Sequence, residues 1–452
     1  MFTVDEAIHE ISEADDIINE AKLNGKCKNN KKIEFYNIVC AFDIETTSFI
    51  DPAAPDNDNK RSVMYVWQFA IDGHVIMGRT WDEFLYLIDR LEQILALSPE
   101  VRLLVFTHNL NFEFSYICRL FNWEKVFATD TRRPIYALTK GGIEFRCSYI
   151  LTNYSLAKLG DQLLKFKVSK LVGDLDYRIP RHFETPLSDQ EKAYCKNDVL
   201  VVSCYIEEKR LEEKGRICDI PLTATGYCRR FCRHACLYAG GVKGNRKQFH
   251  SYRAKMKAMQ ITSVDEYMQM KRAFQGGFTH ASAMYSSWVL NDVDSIDFTS
   301  SYPYCLLSEE YPCSTGKLVK PKSLEEFNNY IEKYCCIFDI EFHDLESTFE
   351  PEQYISISKC FTRVDTVVNN GRVVKAGVLG TTITNVDFEI IKKVYKYRSA
   401  TIYNLRIYKK SFLPTELYKC IAYFYRQKTT LKGVKDKEAE YQQGKALLNS
   451  VY

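Results

Sequence analysis

The stretch that most constrains this chain is Ala-Phe-Asp-Ile-Glu-Thr-Thr at residues 41–47, inside an apolar, β-rich run that begins near Ile33. Because successive side chains of a strand point to opposite faces, Asp43 and Glu45 are expected on the same face. Two adjacent carboxylates repel each other unless a cation lies between them, and Mg²⁺ prefers oxygen ligands of this kind. An edge strand with two solvated acids is the alternative.

Length and composition limit the class of protein. A chain of 452 residues is too long for one hydrophobic core and predicts two or three domains. The net charge of +3 gives no global attraction for nucleic acid, so any basic patch must be local. No apolar run reaches the roughly 18 residues that span a bilayer, and we expect no membrane partner. The 16 cysteines lack zinc-type pairs, which predicts reduced, mostly buried thiols in a cytosolic compartment.

Strands dominate the pattern between residues 33 and 147, with an amphipathic helix among them, and this alternation predicts a mixed α/β layer structure. The predicted strands are Ile33–Asp43, Val63–Ile71, His74–Arg79, Leu103–Thr107, Tyr136–Thr139 and Ile143–Cys147, and the predicted helix is Trp81–Leu97.

A second acid follows the apolar strand that ends at Thr107. Asn109 is expected to cap a helix there, which places Glu113 in the first turns, where the helix dipole stabilises a carboxylate. Phe112 could stack on an unpaired base, or it could lie in the core.

A third acid lies in the sequence Tyr-Cys-Lys-Asn-Asp at residues 194–198, inside a helix predicted from Ser188 to Lys214. Tyr194 and Asp198 are four residues apart and so share a helix face. Four carboxylates around two metal ions about 3.5–4 Å apart are an established arrangement for phosphodiester hydrolysis. The order of these motifs favours that chemistry over solvated acids.

Residues 31–215 resemble the ribonuclease H-like 3′–5′ exonuclease domain of family B DNA polymerases, specifically the protein-primed type of bacteriophages. The resemblance implies two Mg²⁺ or Mn²⁺ ions per active site. It implies metal ligands at Asp43, Glu45, Glu113 and Asp198, with Tyr194 also catalytic. By position, the residues that hold single-stranded DNA would be Thr46, Asn109, Phe112, Ser155 and Leu156. The second motif of the family usually carries Asp where this chain has Glu113.

A basic connector follows, with nine Lys and Arg and no acid between Gly226 and Lys257. It either binds phosphate or forms a solvated helix face. Cys228, Cys232 and Cys236 recur every four residues, which favours packing over a metal site with His234. The sequence Phe-Gln-Gly-Gly at residues 274–277 resembles a Tyr-x-Gly-Gly element of the family, which implies template contacts by Gly276 and Gly277 without the tyrosine hydroxyl.

A fourth acid motif contains Asp297, where a strand is expected to end before a helix capped near Thr299 or Ser300. It resembles the first polymerase motif of the family, with Ser301 where Leu is usual. The resemblance implies that Asp297 binds the catalytic Mg²⁺ ions and that Tyr302 lies under the sugar of the incoming nucleotide. Residues 315–410 are expected to mix short strands and loops. By position they hold an inserted region that contacts a priming protein.

The final motif resembles Lys-x-x-x-Asn-Ser-x-Tyr-Gly in the fingers of these enzymes. Lys445, Asn449 and Tyr452 would form one helical stripe. The resemblance implies that Lys428 and Lys445 neutralise nucleoside triphosphate charge and that Asn449 and Tyr452 line the pocket of the nascent base pair. The third polymerase motif, Tyr-x-Asp-Thr-Asp, does not occur in the sequence.

The sequence therefore predicts an α/β and α+β multidomain chain. Its expected parts are a helical N-terminal extension (1–30), an exonuclease domain (31–215), a basic connector (216–262), a partial palm with a terminal-protein-like insertion (263–415) and partial fingers (416–452).

The resemblance implies a DNA-directed DNA polymerase with a proofreading exonuclease, acting in phage DNA replication in the cytoplasm of an infected bacterium. Its expected partners are DNA, deoxynucleoside triphosphates, a priming terminal protein and a second polypeptide that carries the rest of the polymerase. Without that part, we expect exonuclease activity only. A stand-alone Mg²⁺-dependent 3′–5′ exonuclease with a nucleic-acid-binding C-terminal module is the alternative.

Overall fold

The computed structural model describes residues 2–28, 32–51, 60–128, 133–171, 179–241, 244–279, 285–349 and 351–451. They form two compact units. The first contains Met1–Phe231 and Ala422–Tyr452, and the second contains Cys232–Ile421. In both units helices accompany a β-sheet, which confirms the predicted mixture of α/β and α+β structure.

The strands and helices have the following bounds. The strands are β1 (Ile8–His9), β2 (Lys26–Lys28), β3 (Glu34–Tyr36), β4 (Cys40–Ile50), β5 (Lys60–Ile71), β6 (His74–Gly78), β7 (Val101–Thr107), β8 (Trp123–Ala128), β9 (Pro134–Thr139), β10 (Ile143–Cys147), β11 (Tyr311–Pro312), β12 (Lys317–Leu318), β13 (Tyr334–Ser347), β14 (Cys360–Val364), β15 (Val367–Asn369), β16 (Arg372–Thr384), β17 (Tyr395–Lys396) and β18 (Ser399–Ser411). The helices are α1 (Ala14–Lys22), α2 (Trp81–Leu95), α3 (Asn111–Ile117), α4 (Ser148–Thr152), α5 (Leu156–Gly160), α6 (Asp189–Glu212), α7 (Ala224–Leu237), α8 (Arg246–Ala258), α9 (Val264–Ala273), α10 (Ser301–Ser308), α11 (Leu324–Lys333), α12 (Asn385–Val394), α13 (Thr415–Leu431) and α14 (Glu438–Asn449).

The acid-bearing strand β4 lies in the middle of the first unit's sheet, whose strand order is β1-β6-β5-β4-β7-β10-β9-β8. It pairs antiparallel with β5 along its whole length and parallel with β7 at Cys40 and Ala41. The alternative of an edge strand is therefore wrong. Beyond Ala41 the pairing continues with β5, and its register fixes the positions of Asp43 and Glu45.

The two faces of β4 have different neighbours, as the period of two predicts. Cys40, Phe42 and Ile44 face a core that includes the apolar side of α2. Ala41 faces a second core, built with residues 199–202 of α6, and Asp43 and Glu45 follow it on the same side. The sheet is thus a layer between α2 on one face and α6 on the other.

The N-terminal segment belongs to this layer structure, whereas the sequence predicted a helical extension. β1 pairs parallel with β6, and Ala14, Ile18 and Ala21 of α1 are buried in the core that contains α2. The apolar residues of α1 recur at three and four positions, which gives the helix one apolar face. That face is what joins the segment to the sheet.

Most predicted elements of the first unit are present. The run predicted as one strand from Ile33 to Asp43 is divided between β3 and β4, and β8 was not predicted. Helix α2 begins at a capping box in which Thr80 accepts from the Glu83 amide, and α6 begins at the same motif with Ser188 and Glu191. Both helices start where their sequences predicted.

The second unit is organised around an antiparallel sheet in the order β11-β18-β13-β16-β14. Strands β13, β16 and β18 have 14, 13 and 13 residues, so the prediction of short strands and loops for residues 315–410 is wrong. Phe338, Phe342 and Leu379 are among the residues of its buried core, with Phe327 from α11 and Phe388 from α12. Each long strand is stabilised by a neighbour paired along most of its length.

Two global expectations can be compared with this fold. All 16 cysteines lie in the described ranges as free thiols, and most of them are buried. Among the described helices, none has the length and apolarity needed to cross a membrane.

Candidate active site

Three carboxylates meet where β4 passes beneath α6. Asp43 and Glu45 from the strand and Asp198 from the helix each offer an oxygen atom, and these atoms lie within 4.8 Å of one another. Glu45 is 8% exposed and Asp198 is 4% exposed, while Asp43 is half-buried. We call these three residues the carboxylate cluster.

Glu113 adds a fourth acid beside the cluster. It lies in the first turn of α3, is 2% exposed, and its carboxyl group is hydrogen-bonded to that of Asp43. One oxygen of Glu113 and one of Asp198 are buried without a hydrogen-bond partner. Buried oxygens left unpaired at the meeting point of four acids are what a cation site requires.

The electrostatics of the cluster favour bound positive charge. Removal from water, followed by the charge of Asp198, raises the pKa of Asp43 to about 7. Removal from water, followed by the charge of Asp43, raises the pKa of Glu45 to about 9. Burial and then Asp43 raise the pKa of Glu113 as well, and burial raises that of Asp198. A divalent cation would reverse these shifts, so the residues present fit Mg²⁺ or Mn²⁺.

Two side chains that the sequence analysis did not select also contact the cluster. Lys170 Nζ lies 3.3 Å from Asp198 Oδ2 and 5.5 Å from the centroid of the Tyr194 ring. Gln68, fully buried on β5 opposite Asp43, donates from Nε2 to Asp43 Oδ2 at 3.0 Å. Tyr194 is hydrogen-bonded to Asp198, as their shared helix face predicts. Lys170 lies in a segment without regular structure, where no periodic signal could single it out.

The start of α3 differs from its prediction. Asn109 does not cap the helix: the cap position is Leu110, which makes no side-chain capping bond, and Asn109 adopts a left-handed φ of +67°. A short polar side chain tolerates this conformation, which turns the chain between β7 and α3. The Phe112 side chain is 41% exposed, and its ring centroid lies 5.3 Å from that of Tyr116. The alternative that Phe112 lies in the core is therefore wrong.

A cavity of about 1130 Å³ in the first unit brings together several residues predicted to bind DNA or nucleotide. Its lining includes Asn109, Ser155, Leu156 and Asn449. Helix α7 contributes the basic residue Arg229 to the same lining. The Ser155 hydroxyl also accepts from the Lys158 amide and so caps α5. Thr46 and Phe112 are not among the lining residues.

The basic residues of the connector have different surroundings. Arg229 is exposed at the cavity, whereas Arg230 forms an ion pair with Glu213 at 2.5 Å. Arg233 lies 5.5 Å from the centroid of the Phe249 ring. Cys228, Cys232 and Cys236 are buried, which agrees with packing. Lys243 lies outside the described residues.

The predicted strand before Asp297 is absent, because residues 293–298 have no regular secondary structure in the second unit. Ile296 and Phe298 are 91% and 81% exposed, and Asp297 is exposed between them. Helix α10 begins as predicted, although Ser300 makes no side-chain capping bond and has a φ of +56°. Among the described residues, no carboxylate group that could hold a metal includes Asp297.

Tyr302 and the glycine pair lie close together in the second unit. Tyr302 is 57% exposed on α10, and a Cβ built on Gly277 would lie 2.9 Å from its hydroxyl. A Cβ on Gly276 would meet nothing within 4 Å. Gly277 therefore permits the close approach of this tyrosine, while Gly276 leaves space open beside it.

The two lysines predicted to bind triphosphate lie on neighbouring helices of the first unit. A Cβ on Gly444 of α14 would lie 3.5 Å from the Lys428 amide of α13. Lys445 and Asn449 are exposed, and α14 ends at Asn449. The Tyr154 hydroxyl donates to the Gln442 carbonyl at 2.7 Å, which attaches α14 to the loop between α4 and α5. Tyr452 lies outside the described residues.

The raised pKa values predict a stability that depends on pH when divalent ions are removed. Asp43 and Glu45 hold protons more tightly in the folded state than in the unfolded state. Their protonated forms therefore contribute fully to the free energy of unfolding below about pH 4, and this contribution is lost as pH rises through 7 and 9. In EDTA, the melting temperature of the native sequence should fall more between pH 5 and 9 than that of Asp43→Asn with Glu45→Gln. Asp189→Asn, at an exposed acid of α6, should behave as the native sequence does. Equal slopes for all three proteins would contradict the electrostatic account.

The chain is similar to several known proteins. Residues 238–452 match the family model for DNA polymerase type B, organellar and viral. The DNA polymerase of Bacillus phage B103 is 22% identical over 91% of this chain and 66% of its own length, and that of Bacillus phage Nf has the same identity and coverage. The chain therefore spans just under two thirds of the length of the curated relatives it matches.

Solved structures show the same fold. Phi29 DNA polymerase complexed with primer-template DNA has a TM-score of 0.63 and 17% identity, over 91% of this chain and 67% of the phi29 chain. The ternary complex of phi29 DNA polymerase with primer-template DNA and incoming nucleotide substrates has a TM-score of 0.59 and 18% identity, over 94% and 68% of the two chains. Together, the match of residues 238–452 to the type B DNA polymerase model and the similarity to phage DNA polymerases show that the chain resembles members of this family along most of its length.

Proposed function

We propose that the first unit is a divalent-ion-dependent 3′–5′ exonuclease that proofreads DNA for a polymerase of the protein-primed phage type. The observation that carries this proposal is the carboxylate cluster, with ligand atoms within 4.8 Å and Glu113 bonded to Asp43. An acid cluster with raised pKa values, held on a central strand and a long helix, has the chemistry of a metal-assisted hydrolytic site.

The residues divide between metal binding and substrate handling. Asp43, Glu45 and Asp198 would hold Mg²⁺ or Mn²⁺, with Glu113 as the further ligand on the Asp43 side. When bound, two such ions supply the charge that activates a water and stabilises the leaving oxygen. The Tyr194 phenol, bonded to Asp198, is placed to orient the attacking water. The Lys170 ammonium, 3.3 Å from Asp198, adds positive charge beside the scissile phosphate.

Several exposed or cavity-lining residues of the first unit offer contacts for a single-stranded 3′ end. The exposed ring of Phe112 can stack on a base, and the polar groups of Asn109 and Ser155 face a cavity large enough for a nucleotide. Arg229 at the same cavity can neutralise a phosphate. We propose Thr46 and Leu156 as further DNA contacts on the resemblance alone.

Polymerisation is the second part of the proposed function. The similarity to type B DNA polymerases supports a DNA-directed DNA polymerase. We propose Asp297 as a metal ligand and, as nucleotide contacts, Tyr302, Lys428, Lys445, Asn449 and Tyr452. Gly276 and Gly277 would contact the template. The carboxylate that completes the Asp297 site is proposed to come from a segment equivalent to the remaining third of the relatives, on the same or a second polypeptide. Phage DNA replication in an infected bacterium, with a terminal protein as primer, completes the proposal.

The exonuclease proposal predicts the effect of removing the cluster. Asp43→Ala with Glu45→Ala should lower Mg²⁺-dependent degradation of single-stranded DNA by several orders of magnitude, because two metal ligands are lost. The rate is measured on a 5′-labelled oligonucleotide, so that shortening from the 3′ end is visible. Asp189→Asn, on an exposed turn of the same α6, is the matched control and should retain the rate. Undiminished cleavage by the double variant would refute the site.

The cavity predicts a difference between two adjacent arginines. Arg229→Glu should weaken single-stranded DNA binding and lower the slope of log affinity against log salt by about one unit, because one phosphate contact is lost. Arg230 is already paired with Glu213, so Arg230→Glu should leave that slope unchanged. Binding is measured by fluorescence anisotropy at several salt concentrations with the carboxylate cluster inactivated. A slope that both variants leave unchanged would assign Arg229 to a solvated face.

The surroundings of Asp297 predict how the 452-residue chain behaves alone. Nucleotidyl transfer needs two bridging metals, and one carboxylate cannot hold both. The chain should therefore shorten a primer but not extend it in Mg²⁺ with all four nucleotides. Adding a polypeptide that carries Tyr-x-Asp-Thr-Asp should restore extension, and Asp297→Asn should abolish the restored activity. Template-directed extension by the chain alone would contradict the need for a further segment.

A further inference from the structure

A second group of potential metal ligands lies at the β1–β6 edge of the first unit's sheet. Asp5, His9 and His74 each offer one ligand atom, and the three atoms lie within 4.8 Å of one another. Asp5 Oδ2 is 3.0 Å from both His9 Nε2 and His74 Nδ1. All three side chains are partly buried. We call these residues the edge triad.

Backbone pairing brings the edge triad together. β1 pairs with β6, which His74 begins, and the Asp5 amide donates to the Gly73 carbonyl at 3.2 Å. Gly73 has a φ of +96°, and a Cβ there would clash with the Thr3 carbonyl oxygen, so this turn requires glycine. The Ala7 amide donates to Asp5 Oδ1 at 2.8 Å and leaves Oδ2 directed at the two imidazoles.

The spacing of the donors suits a small transition-metal ion. Ligands at 2.0–2.1 Å from a tetrahedral Zn²⁺ lie about 3.3 Å from one another, so the 3.0 Å separations need only a small expansion. The other ring nitrogen of His9, Nδ1, lies 2.6 Å from Glu13 Oε2. A carboxylate on the far nitrogen of a histidine orients the ring and is the usual partner of metal-binding histidines.

We propose that Asp5, His9 and His74 bind a divalent ion of the Zn²⁺ class, with Glu13 orienting His9 and water completing the coordination. Imidazole ligands favour Zn²⁺, Co²⁺ or Ni²⁺ over Mg²⁺, so this site and the oxygen-only carboxylate cluster select different ions. Two ligands come from the N-terminal segment, and the third comes from the start of β6. The ion therefore links segments distant in sequence and stabilises the attachment of β1 to the sheet.

The experiment separates the two sites by inactivating one of them. Asp43→Asn with Glu45→Gln removes the carboxylate cluster, and this background is titrated with Co²⁺ and Zn²⁺ by visible absorption and calorimetry. One equivalent should bind, with a tetrahedral Co²⁺ spectrum, and Zn²⁺ should raise the melting temperature. Adding His74→Asn or His9→Asn should weaken binding by more than about tenfold and abolish the thermal shift. His182→Asn, at an exposed histidine of the same unit, is the matched control and should change neither.

Two further measurements distinguish loss of metal binding from loss of folding. Far-UV circular dichroism establishes that each variant is folded before its binding is compared. Asp5→Asn removes a ligand but keeps an amide oxygen for the Ala7 hydrogen bond, so it should lose metal while remaining folded. Absence of saturable Zn²⁺ binding in the background would overturn the proposal. Binding that both histidine substitutions leave unchanged would overturn it too, and the edge triad would then be a hydrogen-bonded group only.

Discussion

The burial of like charges between β4 and α6 is the constraint on which the first unit's site depends. Asp43 and Glu45 continue a face whose other members, such as Ala41, are packed against apolar residues of α6. A lone carboxylate in such surroundings costs several kcal/mol, and proteins usually avoid that cost by protonation or pairing. The raised pKa values of both acids express this cost. The fold accepts it because the cores on both faces of the sheet fix β4 independently of the acids.

The same packing explains why the partners of the acids are few and specific. Gln68 is directed at Asp43 by the antiparallel register of β5, and Lys170 reaches Asp198 from outside the helix. One lysine cannot neutralise three or four carboxylates, so without a cation Asp43 and Glu45 hold their protons to a higher pH than they would in water. An arrangement that is costly alone and favourable with a cation is typical of functional sites rather than of stability devices.

Sequence reasoning succeeded where the determining contacts are local. The shared face of Asp43 and Glu45 follows from strand periodicity, and the start of α6 follows from a capping box that spans four residues. Sequence reasoning failed where the position of a residue depends on how distant parts of the chain are arranged. The conformation of Asn109 depends on how the chain turns from β7 into α3, and the position of Lys170 depends on a segment without periodicity. Neither has a local signature.

The contrast between the strand at Asp43 and the expected strand at Asp297 has the same origin. Both acids lie beside apolar residues, and both patterns favour extended structure. β4 has β5 and β7 to satisfy its backbone groups and cover its side chains, whereas Ile296 and Phe298 are exposed and residues 293–298 join no sheet. The alternation of apolar and polar residues indicates which side chains would share one face of a strand if a strand formed. A strand forms only where another strand supplies hydrogen bonds, because unpaired backbone groups gain nothing from extension. Residues 293–298 have no such neighbour among the described residues, and they form no strand.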